Sequence, residues 1–62
     1  MIEKGSLAQL NNDHHVSLSV GQIIIQAGTE GEVETPGETR ARVRFTETIS
    51  ALVPVRLLNE LQ

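Results

Sequence analysis

Val16, Leu18 and Val20 are separated by Ser17 and Ser19, an alternation that begins at His15 and runs to Gly21. Side chains of a strand point to opposite faces in turn, so a period of two predicts a strand with one buried face. Gly21 interrupts the pattern. Gln22 to Gln26 follows as a β-branched run, Ile23-Ile24-Ile25, suited to a strand covered on both faces or lying under a subunit contact. Earlier in the chain, Met1 to Asn12 has no clean period. A short strand is expected near Leu7 to Leu10, and a turn at Asn11, Asn12 and Asp13, whose side chains bond to nearby backbone. Gly28 to Gly31 predicts a further turn, where glycine permits positive φ.

Alternation returns in Glu32 to Thr35 and in Thr39 to Phe45, with Pro36, Gly37 and Glu38 between them as a hairpin loop. Setting Thr35 opposite Thr39 places Glu34 across from Arg40, Glu32 from Arg42 and Glu30 from Arg44, with Val33 facing Ala41 and Gly31 facing Val43 on the other side. A slip of one residue would bring Val33 against Arg40 and turn apolar residues to the wet face. Opposite charges directly across a ladder stabilise it by roughly 0.2–1 kcal/mol per pair. Thr46 to Thr48 reads as a turn and Ile49 to Val55 as a strand. Pro54 donates no backbone hydrogen bond, so that strand belongs at an edge or ends near Val53. Leu57, Leu58 and Leu61 fit one turn of 3-10 or α-helix laid over the open end of a barrel.

These elements make an all-β domain of 62 residues. A domain of that size buries only about 60% of the surface its unfolded chain exposes, so the core is thin. There is no cysteine, which excludes a disulfide staple and a Cys-based zinc site. Self-association or docking on a partner remains as a support for so small a core, and monomer and homo-oligomer both stay open. The net charge of -3, one Phe and no Trp or Tyr point away from nucleic acid, where a basic footprint and stacking aromatics are the rule. The longest apolar run, Ile23 to Ile25, falls far short of the ~20 residues that span a bilayer. With no basic start leading into an apolar stretch, a soluble, cytoplasmic protein with no membrane role is expected.

Candidate chemistry is sparse. Arg40, Arg42 and Arg44 lie about 7 Å apart along one strand face and have the chemistry to read phosphates or a carboxylate-rich partner. Their glutamate neighbours make a structural ladder the stronger reading. Asp13-His14-His15 has metal-ligand residue types, yet adjacent strand side chains diverge and no further histidine is available unless symmetry mates converge. Ser17 and Ser19 lack the strained turn of a nucleophile. Glu30, Glu32 and Glu34 are better explained as partners of the arginines than as an acid–base pair. Gly28 to Gly31 lacks the lysine and helix of a phosphate-binding loop. No catalytic residue, cofactor or metal is therefore assigned, and no enzyme activity is expected. The remaining surface is apolar. If Ile23 and Ile25 point inward, Ile24 points out, and with Leu57, Leu58 or Leu61 it would form a partner or self-association patch.

Val20-Gly21, the aliphatic strand, Gly28-Thr29-Glu30-Gly31-Glu32-Val33, Val43-Arg44-Phe45 and Val53-Pro54-Val55 with Leu57-Leu58 occur in an order that resembles the small SH3-like barrels, KOW-type domains among them. The likeness spans residues 20–61. It implies a strongly bent barrel of about five antiparallel strands, preceded by a meander or loop before Val20. Similar barrels serve as ribosome and transcription-factor modules, as accessory subunits of photosynthetic electron-transfer complexes and as the β-subunit domain of nitrile hydratase. The chain departs from the nucleic-acid-binding members in its acidic balance and missing aromatics. The expected function is protein–protein contact, as an accessory subunit, an adaptor or a self-associating module. The alternatives are a nucleic-acid-associated module using Arg40, Arg42, Arg44 and Arg56, and a small phage- or plasmid-encoded inhibitor of a host protein.

Overall fold

The computed structural model describes residues 3–61, and these form strands β1 (Leu7–Leu10), β2 (His14–Leu18), β3 (Gly21–Ile25), β4 (Glu30–Thr35), β5 (Arg40–Arg44), β6 (Ser50–Pro54) and β7 (Leu58–Leu61), with a single 3-10 turn at Val55–Leu57. Five strands make an antiparallel sheet in the order β6-β5-β4-β1-β7, and β2 and β3 pair separately as a hairpin. The protein is thus all-β with two antiparallel sheets, and no strand pairing closes them into a barrel. The short strand expected near Leu7 to Leu10 is β1, and it is an integral part of the larger sheet, paired with both β4 and β7.

Alternation decides which residues go inside. Ala8 and Leu10 of β1, Val33 of β4, Ala41 and Val43 of β5, Ala51 and Val53 of β6, Ile25 of β3 and Leu58 of β7 make one buried cluster. Val16, Ile23, Phe45, Ile49, Val55 and Leu57 pack around it, half-buried. Three of the nine core side chains are alanines, so the core is thin, as a chain of this length requires.

Four expectations are corrected. Val20 does not extend the β2 strand: Ser19 and Val20 form a two-residue turn that pairs Leu18 with Gly21, and Val20 is 92% exposed at its tip. Leu58–Leu61 is not part of a helical turn. It pairs with β1 from Leu7↔Leu61 to Leu10↔Leu58, because a strand lets Leu58 enter the core and satisfies the free edge of β1. Gly31 lies within β4 rather than in the preceding turn.

The fourth concerns the register of β4 and β5, which is displaced by two residues from the expected one: Glu32 faces Arg44 and Val33 faces Val43. A shift of two leaves every side chain on the same face, so charge alternation cannot distinguish the two pairings. In the pairing observed, a Cβ built on Gly31 would stand 2.6 Å from Val43 Cγ1 and 3.0 Å from Phe45 Cδ1, so the glycine leaves the room that the valine and the one aromatic occupy. Glu34 is then the extra residue of a bulge, after which Thr35 faces Arg42.

The loop after β4 turns on Gly37. Its φ is not positive. Glycine is needed there for space, since a Cβ would collide with the Arg40 carbonyl oxygen.

Candidate functional site

The arginines of β5 are exposed on the outer face of the sheet, as alternation requires, but they do not form the expected ladder with three glutamates. Arg44 Nη2 donates to Glu32 Oε1 at 2.6 Å, both side chains being close to half exposed. Arg42 lies between Thr35 on β4 and Leu52 on β6, and Arg40 is opposite Pro54. Among the described residues neither has a carboxylate partner. The shifted register carries the β4 glutamates past Arg40, and the bulge at Glu34 takes that side chain out of the position facing Arg42. Arg56 is exposed on the 3-10 turn, where its carbonyl accepts a hydrogen bond from Asn11 Nδ2 at 3.0 Å.

The proposed apolar patch is also rearranged. Ile24 is 56% exposed, as the inward phase of Ile23 and Ile25 demands. Leu58 instead belongs to the core, where the start of β7 turns it inward, and Leu57, at the end of the 3-10 turn, packs half-buried against that core. Leu61 pairs across the sheet with Leu7. Sequence reasoning missed Leu18 and Leu52, which are 42% and 51% exposed. The signal for Leu52 was present: with Ala51 and Val53 inward, the residue between them points out.

Asp13, His14 and His15 are drawn apart. Asp13 Oδ1 accepts the Ala27 N–H at 2.8 Å and so ties the two ends of the β2–β3 hairpin together. His14 and His15 alternate on β2. His14 is half-buried, and its Nε2 lies 3.2 Å from the Leu52 carbonyl oxygen. A carbonyl can only accept, so the imidazole donates. No group of three or more metal-ligating side chains converges among the described residues.

Beside that bond runs a groove of about 350 Å³, lined by all of β2 from His14 to Leu18 and by Ser50, Ala51, Leu52 and Arg42. Another groove, of about 430 Å³, lies over Leu7, Gly31 and Phe45 and is bordered by Glu30, Glu32, Glu47 and Arg44. The second is larger, but it sits on a paired face of the sheet and contains the ion pair already formed. The first lies where the two sheets fail to meet.

The chain matches no protein-family model, no curated protein and no solved structure in these comparisons. Its class is therefore stated from the fold: a small, all-β, two-sheet protein. Among the described residues no helix is long and apolar enough to cross a membrane.

Proposed function

We propose that the chain is an SH3-like β module without catalytic activity, which works by contacting another protein as an accessory subunit or adaptor. A five-stranded antiparallel sheet and a 3-10 turn leading into the last strand support the SH3-like reading. The observation that carries the functional part is the exposed apolar surface of the hairpin and β6. Val20, Ile24, Leu52 and Leu18 are 92%, 56%, 51% and 42% exposed, and Leu18 and Leu52 line one groove. Isolated exposed apolar residues need no explanation, but several on adjoining elements of so short a chain mark a contact surface.

The test compares the wild type with the V20D/I24D/L52D triple variant as bait in an extract of the native host. All three side chains point to solvent, so the variant keeps the fold. At least one protein retained by the wild type and lost from the variant is the expected result. Equal retention by both, with a wild type that light scattering finds monomeric, overturns the proposal. A wild type that self-associates while the variant stays monomeric identifies the homo-oligomeric form of the same reading.

The unpaired guanidinium groups of Arg40 and Arg42 favour a second reading, contact with nucleic acid through Arg40, Arg42, Arg44 and Arg56. It requires retention of labelled RNA or DNA that falls steeply with salt and with Arg42→Glu. Absence of retention at low salt removes it.

A further inference from the structure

The two sheets leave a seam between β2 and β6, and its backbone can be worked out from the pairing. Val55 N–H donates to the Thr39 carbonyl at 2.9 Å and Phe45 N–H to the Ile49 carbonyl at 2.8 Å. Hydrogen-bonded and non-hydrogen-bonded pairs alternate in an antiparallel ladder, so Ala51 and Val53 are the residues of β6 that bond to β5. Ser50 and Leu52 therefore turn their peptide groups away from β5, toward the groove. In β2, the Leu18–Gly21 pair closes a two-residue loop and must be hydrogen-bonded. By the same alternation, His15 and Ser17 turn their peptide groups away from β3.

Among the described residues neither edge pairs with another strand. What spans them is the His14 side chain, reaching the Leu52 carbonyl. A side chain bridging two strands holds them farther apart than the ~4.8 Å of a direct pairing. Consecutive residues of both strands line the groove, as they do along an edge and not along a face.

The charge lining the seam is distinctive. Its ionisable groups are His14, His15 and Arg42, with no carboxylate among them. The groove over Phe45 carries three glutamates and the one beside Gly5 carries two, and the chain as a whole has a net charge of -3. An isologous contact through the seam would set a lining that holds Arg42 and no carboxylate against a copy of itself. Resting on the protein-contact reading above, we infer that the seam takes one extended, acidic segment of a partner protein as an added strand. Main-chain bonds come from the positions at His15, Ser17 and Ser50, and from Leu52, whose carbonyl the incoming strand takes over from His14. Arg42 receives a carboxylate on the outer face, and Val16 and Leu18, which share the inward parity of β2, receive the alternate apolar side chains.

The test uses the full chain labelled with ¹⁵N and two blocked synthetic peptides, Ac-DSVEVES-NH₂ and its lysine counterpart Ac-KSVKVKS-NH₂. The acidic peptide is expected to shift the amide signals of His15, Ser17, Ser50 and Leu52 and to slow hydrogen exchange at those positions. The lysine peptide is expected to bind at least about tenfold more weakly, and Arg42→Gln, an exposed substitution, to weaken the acidic peptide by a similar factor. No shift at millimolar acidic peptide, equal affinity for both peptides, or shifts confined to the Glu32–Arg44 groove overturns the inference. So does a dimer formed through this seam, or displacement of the peptide by a single-stranded oligonucleotide. If the peptide fails while the V20D/I24D/L52D variant still loses a partner, the seam alone is refuted; if both fail, the protein-contact reading falls with it.

Discussion

Replacing Gly31 with alanine adds one methyl group to the inner face of β4, where the neighbouring strand offers Ala8 and the hairpin brings in Val43 and Phe45. The new Cβ would stand 2.6 Å from Val43 Cγ1, 2.9 Å from the Arg44 carbonyl oxygen and 3.0 Å from Phe45 Cδ1. Carbon atoms rest at about 3.5–4.0 Å, so the valine contact is short by roughly 1 Å. Val43 is fully buried and Arg44 is held in the β4–β5 ladder, so neither retreats freely. Overpacking of this kind costs about 1–3 kcal/mol. Alanine loses less backbone entropy than glycine in a strand, which returns about 0.5–1 kcal/mol. The net expectation is a loss of ~1–2 kcal/mol. A chain of 62 residues has a total stability on the order of 3–9 kcal/mol, so the loss is a sizeable fraction. Thermal unfolding followed by circular dichroism should show a midpoint lowered by about 5–15 °C. Val43→Ala removes the nearest obstacle, so Gly31→Ala should cost less in that background, with a coupling of at least ~0.5 kcal/mol. A Gly31→Ala protein as stable as the wild type, or costs that simply add in the double variant, would refute the account of Gly31 as the residue that makes room for Val43 and Phe45.

The register has an independent electrostatic test. Glu32→Arg and Arg44→Glu should each lower stability by a few tenths to ~1 kcal/mol in low salt, and the double reversal should recover most of it, as thermal melts will show; combining Glu32→Arg with Arg42→Glu should recover little. Gly37→Ala should destabilise by ~1–3 kcal/mol in denaturant titration, because the obstructing Arg40 carbonyl is backbone. His14→Phe should keep the fold but cost ~0.5–1.5 kcal/mol and raise the ¹⁵N relaxation mobility of residues 14–25, since the hairpin loses its bond to the Leu52 carbonyl; unchanged relaxation would show that the bond does not hold the hairpin. Asp13→Ala should cost about 1 kcal/mol by urea unfolding, through the Ala27 N–H it leaves without its acceptor.

Local pattern carried much of this protein's architecture. Period-two alternation placed Val33, Ala41 and Val43 inside and the arginines outside, put Ile24 on the solvent side of its strand, and Pro54 marked an edge strand, which β6 is. Each of those statements needs only parity or the lack of one N–H, and both are visible one residue at a time. The candidate site was less legible. Leu52 followed from parity, but its closeness to Leu18 and His14 joins residues 34 or more positions apart in the chain.

Tertiary structure decided what parity leaves undetermined. Two registers that differ by two residues share every inward and outward assignment, so parity alone could not choose the one in which Glu32 meets Arg44, and the bulge at Glu34 broke the charge ladder further. Leu58 entered the core because β1 presented an open edge for β7 to pair with, a demand made by a strand some fifty residues earlier. The seam between β2 and β6 exists for a related reason: whether two edges meet depends on how both sheets twist and pack as bodies, and no short stretch of sequence encodes that distance.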